Sequence, residues 1–325
     1  LYFSLNALIG FSFSEDVVGV AGIALIHSIF NIFTTLILLP FTKGLEKLAY
    51  LTIPESEEER EAKEDIEFQI LDDRFLQTPA FAIEQCRSLA DKMAELSKDC
   101  FLKAMQVLFA YTDAGAEEVI ALENKIDVYE DKLSVYLTKL NSTNLAYNDS
   151  QNVSTLLHCI MDFERISDHA VNVVESAQEM NRKEQHFSKK AEEEMKIYGN
   201  AVEDILTRTM EAFVSQDEKK ILTIEPLEEV IDKINKDVKK RHIKRLRKGK
   251  CTIELGLILS DVATNYERVS DHCSNIAVCL IQMQDSELEA HSYMNHLKDG
   301  EDLSFEKQVE VFAEKYNLGK EKPSK

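Results

Sequence analysis

The feature of this sequence that most constrains its fold is an internal repeat of two acidic segments. Residues 162–169, Asp-Phe-Glu-Arg-Ile-Ser-Asp-His, match residues 265–272, Asn-Tyr-Glu-Arg-Val-Ser-Asp-His. A second matched pair begins with Leu-Glu at residues 122–123 and 227–228, and an Asp follows each Glu four residues later. The two segments are similarly spaced in each copy, which predicts two copies of one helical unit.

The rest of the body predicts an all-α fold. Residues 80–298 contain four glycines and one proline, too few turn residues for an all-β sandwich or barrel. Apolar residues recur at helical spacing, as at Leu89, Met93 and Leu96. We predict long helices at roughly 80–112, 116–140, 152–180, 188–216, 222–247 and 252–284. Antiparallel bundles are the usual way to bury such helices, so each copy should form one three-helix bundle.

The amino-terminal part of the chain differs from this body. Residues 17–41 carry no formal charge, and about 20 apolar residues are enough to span a bilayer. Lys43 and Lys47 follow, which predicts a transmembrane helix that leaves the membrane on the cytoplasmic side. The sequence starts at Leu1 within an apolar run, and we interpret it as a fragment whose upstream part is missing.

Two polar residues lie within this predicted span. His27 and Asn31 are four residues apart, so a helix would place them on one face. Polar groups at membrane depth face either other protein or a water-filled path. They are therefore candidates for a transport pathway, and hydrogen bonding between helices is the alternative.

Charge and cysteine usage exclude other classes of protein. The formal net charge is −20, whereas a nucleic-acid-binding protein would show a basic footprint, so no nucleic-acid partner is expected. The six cysteines form no Cys-x-x-Cys pair, which is typical of reduced thiols in a cytoplasmic domain.

One basic run, residues 239–250, interrupts the acidic body. It could complement a helix carboxyl terminus, or it could contact an anionic surface or ligand. The candidate residues for an anionic-surface contact are Lys239, Lys240, Arg241, Lys244, Arg245, Arg247 and Lys248.

The repeated carboxylates predict a metal centre in each bundle. Glu and Asp at i and i+4 share one helix face, and a short loop makes the second and third helices antiparallel, so two such pairs face each other. Four carboxylates repel one another unless cations or protons intervene, and such oxygen ligands suit hard or borderline cations. The alternative is a solvated acidic face, which the repetition disfavours. The predicted ligands are Glu123, Asp127, Glu164, Asp168, Glu228, Asp232, Glu267 and Asp271.

Four flanking residues are predicted to have supporting roles. His169 and His272 directly follow the second aspartate of their motifs, which turns them away from the carboxylate face, so we interpret them as supporting or structural groups. Arg165 and Arg268 are also off that face, and we expect them to pair with nearby acids.

The segments 164–170 and 266–272 resemble the signature helices of PhoU-type domains. The resemblance covers about residues 75–316. It implies two three-helix bundles whose Glu/Asp-x-x-x-Asp motifs bind multinuclear clusters of divalent or trivalent metal ions, iron or zinc, on the eight carboxylates named above. Ser167 and Ser270 depart from the family, which more often has Gly or Ala there.

Residues 23–31 and 38–41 resemble the last conserved helix of bacterial sodium/phosphate cotransporters, and residues 71–79 resemble the link to a following PhoU-like domain. That resemblance implies phosphate as substrate, sodium as coupling ion, and a multi-pass protein of the inner (plasma) membrane with a cytoplasmic PhoU-like domain. The Gln-Ser-Ser motifs that bind phosphate and sodium in that family do not occur in this sequence, so the substrate site would lie upstream.

These observations predict four regions. Residues 1–50 would end a membrane transport domain, and residues 51–78 would form a charged linker. Residues 79–298 would be the PhoU-like domain, with repeats at about 79–183 and 187–286. Residues 299–325 would form a short helix and a Lys-rich tail.

Three functions are consistent with this organisation. The main hypothesis is a non-enzymatic fragment of a sodium-dependent phosphate cotransporter with a regulatory PhoU-like domain. The alternative is a membrane-anchored PhoU-like regulator without transport activity, which acts through a partner protein or a homo-oligomer. A di-iron type of metal enzyme is disfavoured, because such sites usually include Glu-x-x-His ligands and the Glu-x-x-x-Asp pairs do not supply that spacing.

Overall fold

The computed structural model describes residues 27–28, 30–35, 37, 66–284 and 303–319. The chain divides into two compact units, Leu1–Phe68 and Gln69–Lys325. Most of the transmembrane helix predicted for residues 17–41 lies outside the described residues. Those of its residues that are described are helical. Among the described residues, no helix is both long enough and apolar enough to cross a membrane.

All the regular secondary structure described in the second unit is helical. A 3-10 helix at Asp73–Gln77 is followed by α1 (Pro79–Phe109), α2 (Asp113–Asn141), α3 (Tyr147–Arg182), α4 (Lys189–Ser215), α5 (Glu218–Ile221), α6 (Ile224–Arg247), α7 (Ile253–Gln284) and α8 (Leu303–Lys315). Helices α1 to α3 form the first bundle, and α4, α6 and α7 form the second. The all-α fold and the six long helices are confirmed, whereas the four-residue helix α5 was not predicted.

Local sequence signals explain where the long helices begin and end. Pro79 opens α1, where its missing N–H costs no hydrogen bond. The Thr112 side chain caps α2 by accepting a hydrogen bond from the Gly115 N–H at 3.1 Å. Gln216 ends α4 in the left-handed conformation, with φ of 52°. These sharp boundaries keep the connections short and make neighbouring helices antiparallel.

Two buried aromatic pairs form the shared core of the two bundles. Phe163 of α3 packs edge-on against Phe213 of α4, with ring centroids 4.9 Å apart. Tyr266 of α7 packs in the same way against Phe101 of α1, with centroids 5.8 Å apart. All four rings are fully buried, and edge-to-face contacts are a favourable arrangement for such pairs. The third helix of each bundle therefore contacts the first helix of the other bundle through these rings. The helices that pack directly on each other across the two bundles are α3 with α7 and α1 with α4.

Helix α8 packs on α6 and so adds a fourth helix to the described part of the second bundle, beside α4, α6 and α7. Asp204 of α4 accepts hydrogen bonds from Lys315 Nζ at 2.9 Å and from the Tyr316 hydroxyl at 2.7 Å. Burial opposes ionisation of Asp204, but the hydrogen bonds from Lys315, Tyr316 and Arg208 outweigh burial and lower its pKa. The carboxylate therefore fixes the end of α8 to the bundle.

One equivalent position on the second helix of each copy binds the chain segment that flanks its bundle. Arg241 of α6 donates hydrogen bonds to the carbonyl oxygens of Leu318 at 2.9 Å and Gly319 at 2.6 Å. Tyr136 of α2 occupies the matching position in the first copy, and its hydroxyl donates to the Asp72 carbonyl oxygen at 2.9 Å. The segment before α1 and the segment after α8 thus dock on their bundles in the same way.

The shared core predicts that truncating one ring will destabilise the whole unit. Replacing Phe163 with Ala should lower the free energy of unfolding by about 3–5 kcal/mol, because the cavity would open where the bundles meet. Urea denaturation followed by circular dichroism measures this change. Val135→Ala, at a position where 58% of the residue is exposed, is the control and should stay within about 0.5 kcal/mol of wild type. A similarly small loss for Phe163→Ala would contradict a shared core.

Candidate metal centre

The first bundle places its four predicted ligands on two helices that pack against each other. Glu123 and Asp127 lie on α2, and Glu164 and Asp168 lie on the facing α3. Partial burial and the charge of Asp168 raise the pKa of Glu164 to about 7, with further contributions from Asp127 and Glu130 that outweigh the opposing Arg165. Burial, Asp127 and Asp168 also raise the pKa of Glu123. Asp127 and Asp168 are therefore close enough to Glu123 and Glu164 to oppose the ionisation of these two glutamates.

The second bundle places its ligands in the equivalent arrangement, but it supplies cations of its own. Lys236 Nζ lies 2.7 Å from Asp232 Oδ2, and Lys239 Nζ lies 3.9 Å from Glu267 Oε2. Burial, reinforced by Asp232 and opposed by Arg268, raises the pKa of Asp271. The second cluster is thus partly neutralised by lysines.

The first copy lacks these lysines. Lys236 and Lys239 correspond to Asp131 and Ser134, which lie 105 residues earlier, the offset between Glu123 and Glu228. The first copy therefore has an acidic residue, Asp131, in place of Lys236 and a neutral hydroxyl group, that of Ser134, in place of the Lys239 ammonium group. The two clusters therefore share their carboxylates but differ in their surrounding charge.

The two arginines of the repeated motif form the ion pairs predicted for them. Arg165 lies 3.5 Å from Asp168 and 3.6 Å from Glu164, and Arg268 lies 3.4 Å from Asp271. Both arginine side chains are more than half exposed, and exposed pairs contribute little stability. These arginines can therefore leave the carboxylates without a large loss of stability.

The carboxylates do not form a finished ligand shell. Within the part of the chain that the structure describes, no three His, Cys, Asp or Glu side chains are grouped closely enough to hold a metal ion. The first cluster nevertheless has the donor chemistry that hard cations require, with several carboxylates and unfavourable mutual repulsion. The eight ligands therefore remain a prediction, and binding would require their side chains to rearrange.

The histidines that follow the motifs lie at the contact between bundles, which agrees with a structural role. His169 Nδ1 is 2.8 Å from Asn265 Oδ1, and His272 Nδ1 is 2.8 Å from Asp162 Oδ1. The two imidazole rings are 5.5 Å apart. Each histidine hydrogen-bonds the opposite third helix, and the order of these pairs shows that α3 and α7 run antiparallel.

The basic run is divided between the interior and the surface. Arg241 and Arg245 lie 3.4 and 2.5 Å from the carboxylate of Glu194 on α4, which is 3% exposed. The sequence analysis missed Glu194, although it lies among buried residues of α4. Of the predicted anionic-surface residues, Lys239 is half-buried, whereas Lys240, Lys244, Arg247 and Lys248 are exposed.

The candidate pathway residues His27 and Asn31 lie in the first unit. Both are helical and exposed, and the Asn31 carbonyl oxygen accepts a hydrogen bond from the Thr35 hydroxyl at 2.8 Å. Their proposed role in transport stays a prediction.

Comparison with known proteins gives a consistent result. The family model described as the PhoU domain matches residues 90–177 and 195–280. The chain is 23% identical to the phosphate-specific transport system accessory protein PhoU homolog 1 of Thermotoga maritima, over 61% of this chain and 85% of that protein. It is 20% identical to the PhoU homolog of Clostridium acetobutylicum, over 62% of this chain and 91% of that protein.

Solved structures match the same region. The phosphate transport system regulatory protein PhoU from Streptococcus pneumoniae superposes with a TM-score of 0.58 at 18% identity, over 65% of this chain and 99% of that one. PhoU from Pseudomonas aeruginosa gives a TM-score of 0.59 at 20% identity, over 62% of this chain and 97% of that one. These likenesses show that the chain has the fold of those proteins.

The raised pKa of Glu164 predicts how stability depends on pH in metal-free protein. The folded state holds this proton up to a pKa of about 7, whereas the unfolded chain releases it near 4.5. Stability should therefore fall as the pH rises from roughly 5 to roughly 8, because the folded state binds more protons in that range. Urea midpoints in the presence of a chelator measure the effect.

Glu164→Gln should reduce this pH dependence, because glutamine does not titrate. Glu267→Gln is the matched control, since it changes the equivalent residue of the second copy, where Lys239 supplies a positive charge. The same pH dependence in wild type and in Glu164→Gln would contradict the prediction.

Proposed function

The chain belongs to the PhoU domain family, and on that premise we propose that it is a non-enzymatic, membrane-anchored accessory regulator of phosphate uptake or phosphate signalling, without transport activity of its own. One observation carries the proposal. The two-bundle unit corresponds to 85–91% of relatives named as accessory proteins of phosphate-specific transport systems. A chain that resembles almost the whole of such proteins would work as they do, through a partner protein.

The carboxylate clusters supply a metal-dependent part of this proposal. Iron or zinc would bind first in the first bundle, where Arg165 pairs with Glu164 and Asp168 but the positions equivalent to Lys236 and Lys239 carry no lysine. In the second bundle, a metal ion would compete with Lys236 and Lys239 for Asp232 and Glu267. The two sites would therefore differ in affinity although their motifs are alike.

A second candidate is supported by the amino-terminal sequence. Within the uncharged residues 17–41, residues 23–31 and 38–41 resemble the last conserved helix of sodium/phosphate cotransporters, in which a PhoU-like domain often follows the transport domain. On this reading the chain is the carboxyl-terminal part of a multi-pass membrane protein, sodium is the coupling ion, and phosphate binds mainly upstream. His27 and Asn31 would then line the pathway.

Phosphate uptake by the native host distinguishes the two candidates. If the protein is a regulator, disruption of its gene should leave uptake capacity in place but remove the dependence of uptake on external phosphate. If it is a cotransporter, disruption should remove the sodium-dependent fraction of uptake, and the intact gene should restore it. Radiolabelled phosphate uptake with and without sodium measures both. Unchanged uptake and unchanged regulation would contradict both candidates.

Metal titration tests the carboxylate assignment separately. We expect a chelator-stripped fragment of residues 66–325 to bind more than one Zn²⁺ ion in calorimetry, and Glu164→Ala with Asp168→Ala to remove the tighter binding. Glu267→Ala with Asp271→Ala should remove the weaker binding. Lys236→Ala with Lys239→Ala should tighten the second site by up to about tenfold, since each of the two competing ion pairs contributes roughly 1 kcal/mol or less and a tenfold change corresponds to about 1.4 kcal/mol.

The control for this titration is the fragment in which Ala replaces Glu164, Asp168, Glu267 and Asp271 together. Its metal content should fall to the background level measured by mass spectrometry. Metal content equal to that of wild type would overturn the site assignment but would leave the phosphate-regulator proposal standing.

A further inference from the structure

Three large apolar side chains are exposed at one end of the second bundle. Ile243 lies near the end of α6 and is 50% exposed. Ile253 and Leu257 lie in the first turns of α7 and are 76% and 62% exposed. Scattered apolar residues are normal on a protein surface, so the relevant question is whether these three are contiguous.

The contact between α6 and α7 places them side by side. A Cβ atom added to Gly256 would lie 2.8 Å from His242 Nε2 and 3.1 Å from Leu246, so α7 approaches α6 closely at this height. Ile243 follows His242, and Leu257 follows Gly256, so each is turned by about 100° from the contact. Because the helices are antiparallel, the same turn brings both side chains to the same flank. Ile253, four residues before Leu257, shares that flank.

Basic residues occupy the same flank. Lys240 and Arg247 lie three residues before and four residues after Ile243, on one face of α6. Lys244 and Lys248 are also exposed at this end of α6, although they are turned away from Ile243 around the helix. We name this surface the tip patch and define it as Lys240, Ile243, Lys244, Arg247, Lys248, Ile253 and Leu257. Its positive charge stands out in a chain with a net charge of −20.

Two other arginines of the basic run do not belong to the tip patch. Arg241 and Arg245 point toward α4, where the buried Glu194 binds both. The basic run therefore contains two arginines that bind a buried carboxylate and several other cations that are exposed to solvent. The helix-terminus explanation of the run does not account for the exposed isoleucines and leucine, since they complete no core.

The repeat itself does not require the tip patch. At the equivalent positions of the first copy, Ile253 and Leu257 correspond to Ser150 and Ser154, which lie 103 residues earlier, and Ile243 corresponds to Thr138. The first bundle folds with polar residues there, so the apolar residues of the second bundle are dispensable for the fold.

We propose that the tip patch binds an anionic membrane surface. Its Lys and Arg side chains would contact lipid phosphates, and Ile243, Ile253 and Leu257 would insert at the boundary between headgroups and acyl chains. Charge complementarity favours this partner, because an anionic surface attracts the cationic side chains of the tip patch. Apolar side chains between the cations distinguish it from a site for a free anion. The proposal does not depend on the phosphate-regulator function.

A vesicle flotation assay tests the proposal with a fragment of residues 66–325. This fragment contains the region that matches 99% of a solved PhoU chain, so we expect the fragment to fold by itself. We expect binding to vesicles of phosphatidylglycerol and phosphatidylcholine, weakening with salt, and no binding to phosphatidylcholine alone.

Two sets of substitutions separate charge from insertion. Replacing Ile243, Ile253 and Leu257 with Ser, the residue that two of the equivalent positions carry, should lower the partition coefficient by roughly tenfold or more. Replacing Lys240, Lys244, Arg247 and Lys248 with Gln should lower it by roughly a hundredfold or more. Val135→Ser with Met161→Ser is the matched control, because it removes exposed apolar residues of the first bundle and should leave binding unchanged.

Several results would overturn the proposal. They are equal binding of wild type and the triple serine variant, equal binding to neutral and anionic vesicles, and displacement from vesicles by millimolar inorganic phosphate at constant ionic strength. Absence of vesicle binding, together with self-association in sedimentation that the triple serine variant loses, would assign the tip patch to a second copy of this chain. Circular dichroism of each variant establishes that it is folded.

Discussion

The contact between α3 and α7 determines both how the two bundles meet and where the carboxylates lie. On each helix, adjacent residues serve these two purposes, since Phe163 enters the shared core and Glu164 joins the carboxylate cluster. Asp168 and His169 divide the same roles, with His169 hydrogen-bonded to Asn265 across the contact. A change of charge in the cluster therefore acts one residue away from the groups that hold the bundles together. The proposed metal binding would thus have a short physical route to the packing of the bundles.

The two copies have kept their common framework and diverged around it. Equivalent carboxylates and arginines occur in both, but Lys236 in the second copy replaces an acid in the first, Asp131. The hydrogen-bond partner of the histidine also differs between the copies. His272 is bonded to Asp162, which is ionisable, whereas His169 is bonded to Asn265, which is not. These differences lie on equivalent helices of the two bundles. Such differences are expected when two sites built on the same motif have different ligands or different affinities.

The sequence predicted the fold well, because helical periodicity and two repeated motifs at matched spacing leave little choice of architecture. It also identified which residues share a helix face, as for Glu164 and Asp168. It did not show which residues of another helix approach that face. Arg241 and Arg245 seemed part of a surface run until α4 brought the buried Glu194 against them. Lys236 was overlooked for the same reason, since its effect depends on its distance from Asp232 rather than on its place in the sequence.

The second carboxylate cluster and the tip patch lie on one flank of the α6/α7 pair. Lys236, seven residues before Ile243, points to that flank while it binds Asp232. If an anionic membrane meets this flank, Lys236 can pair either with Asp232 or with a lipid phosphate, and a metal ion at Asp232 would leave the lysine to the lipid. Metal binding and membrane binding would then strengthen each other by the same factor, because coupling between two binding events is reciprocal. Because Lys236 is exposed, its ion pairs are weak, and the coupling between metal binding and membrane binding would be modest. A modest coupling is compatible with reversible membrane binding.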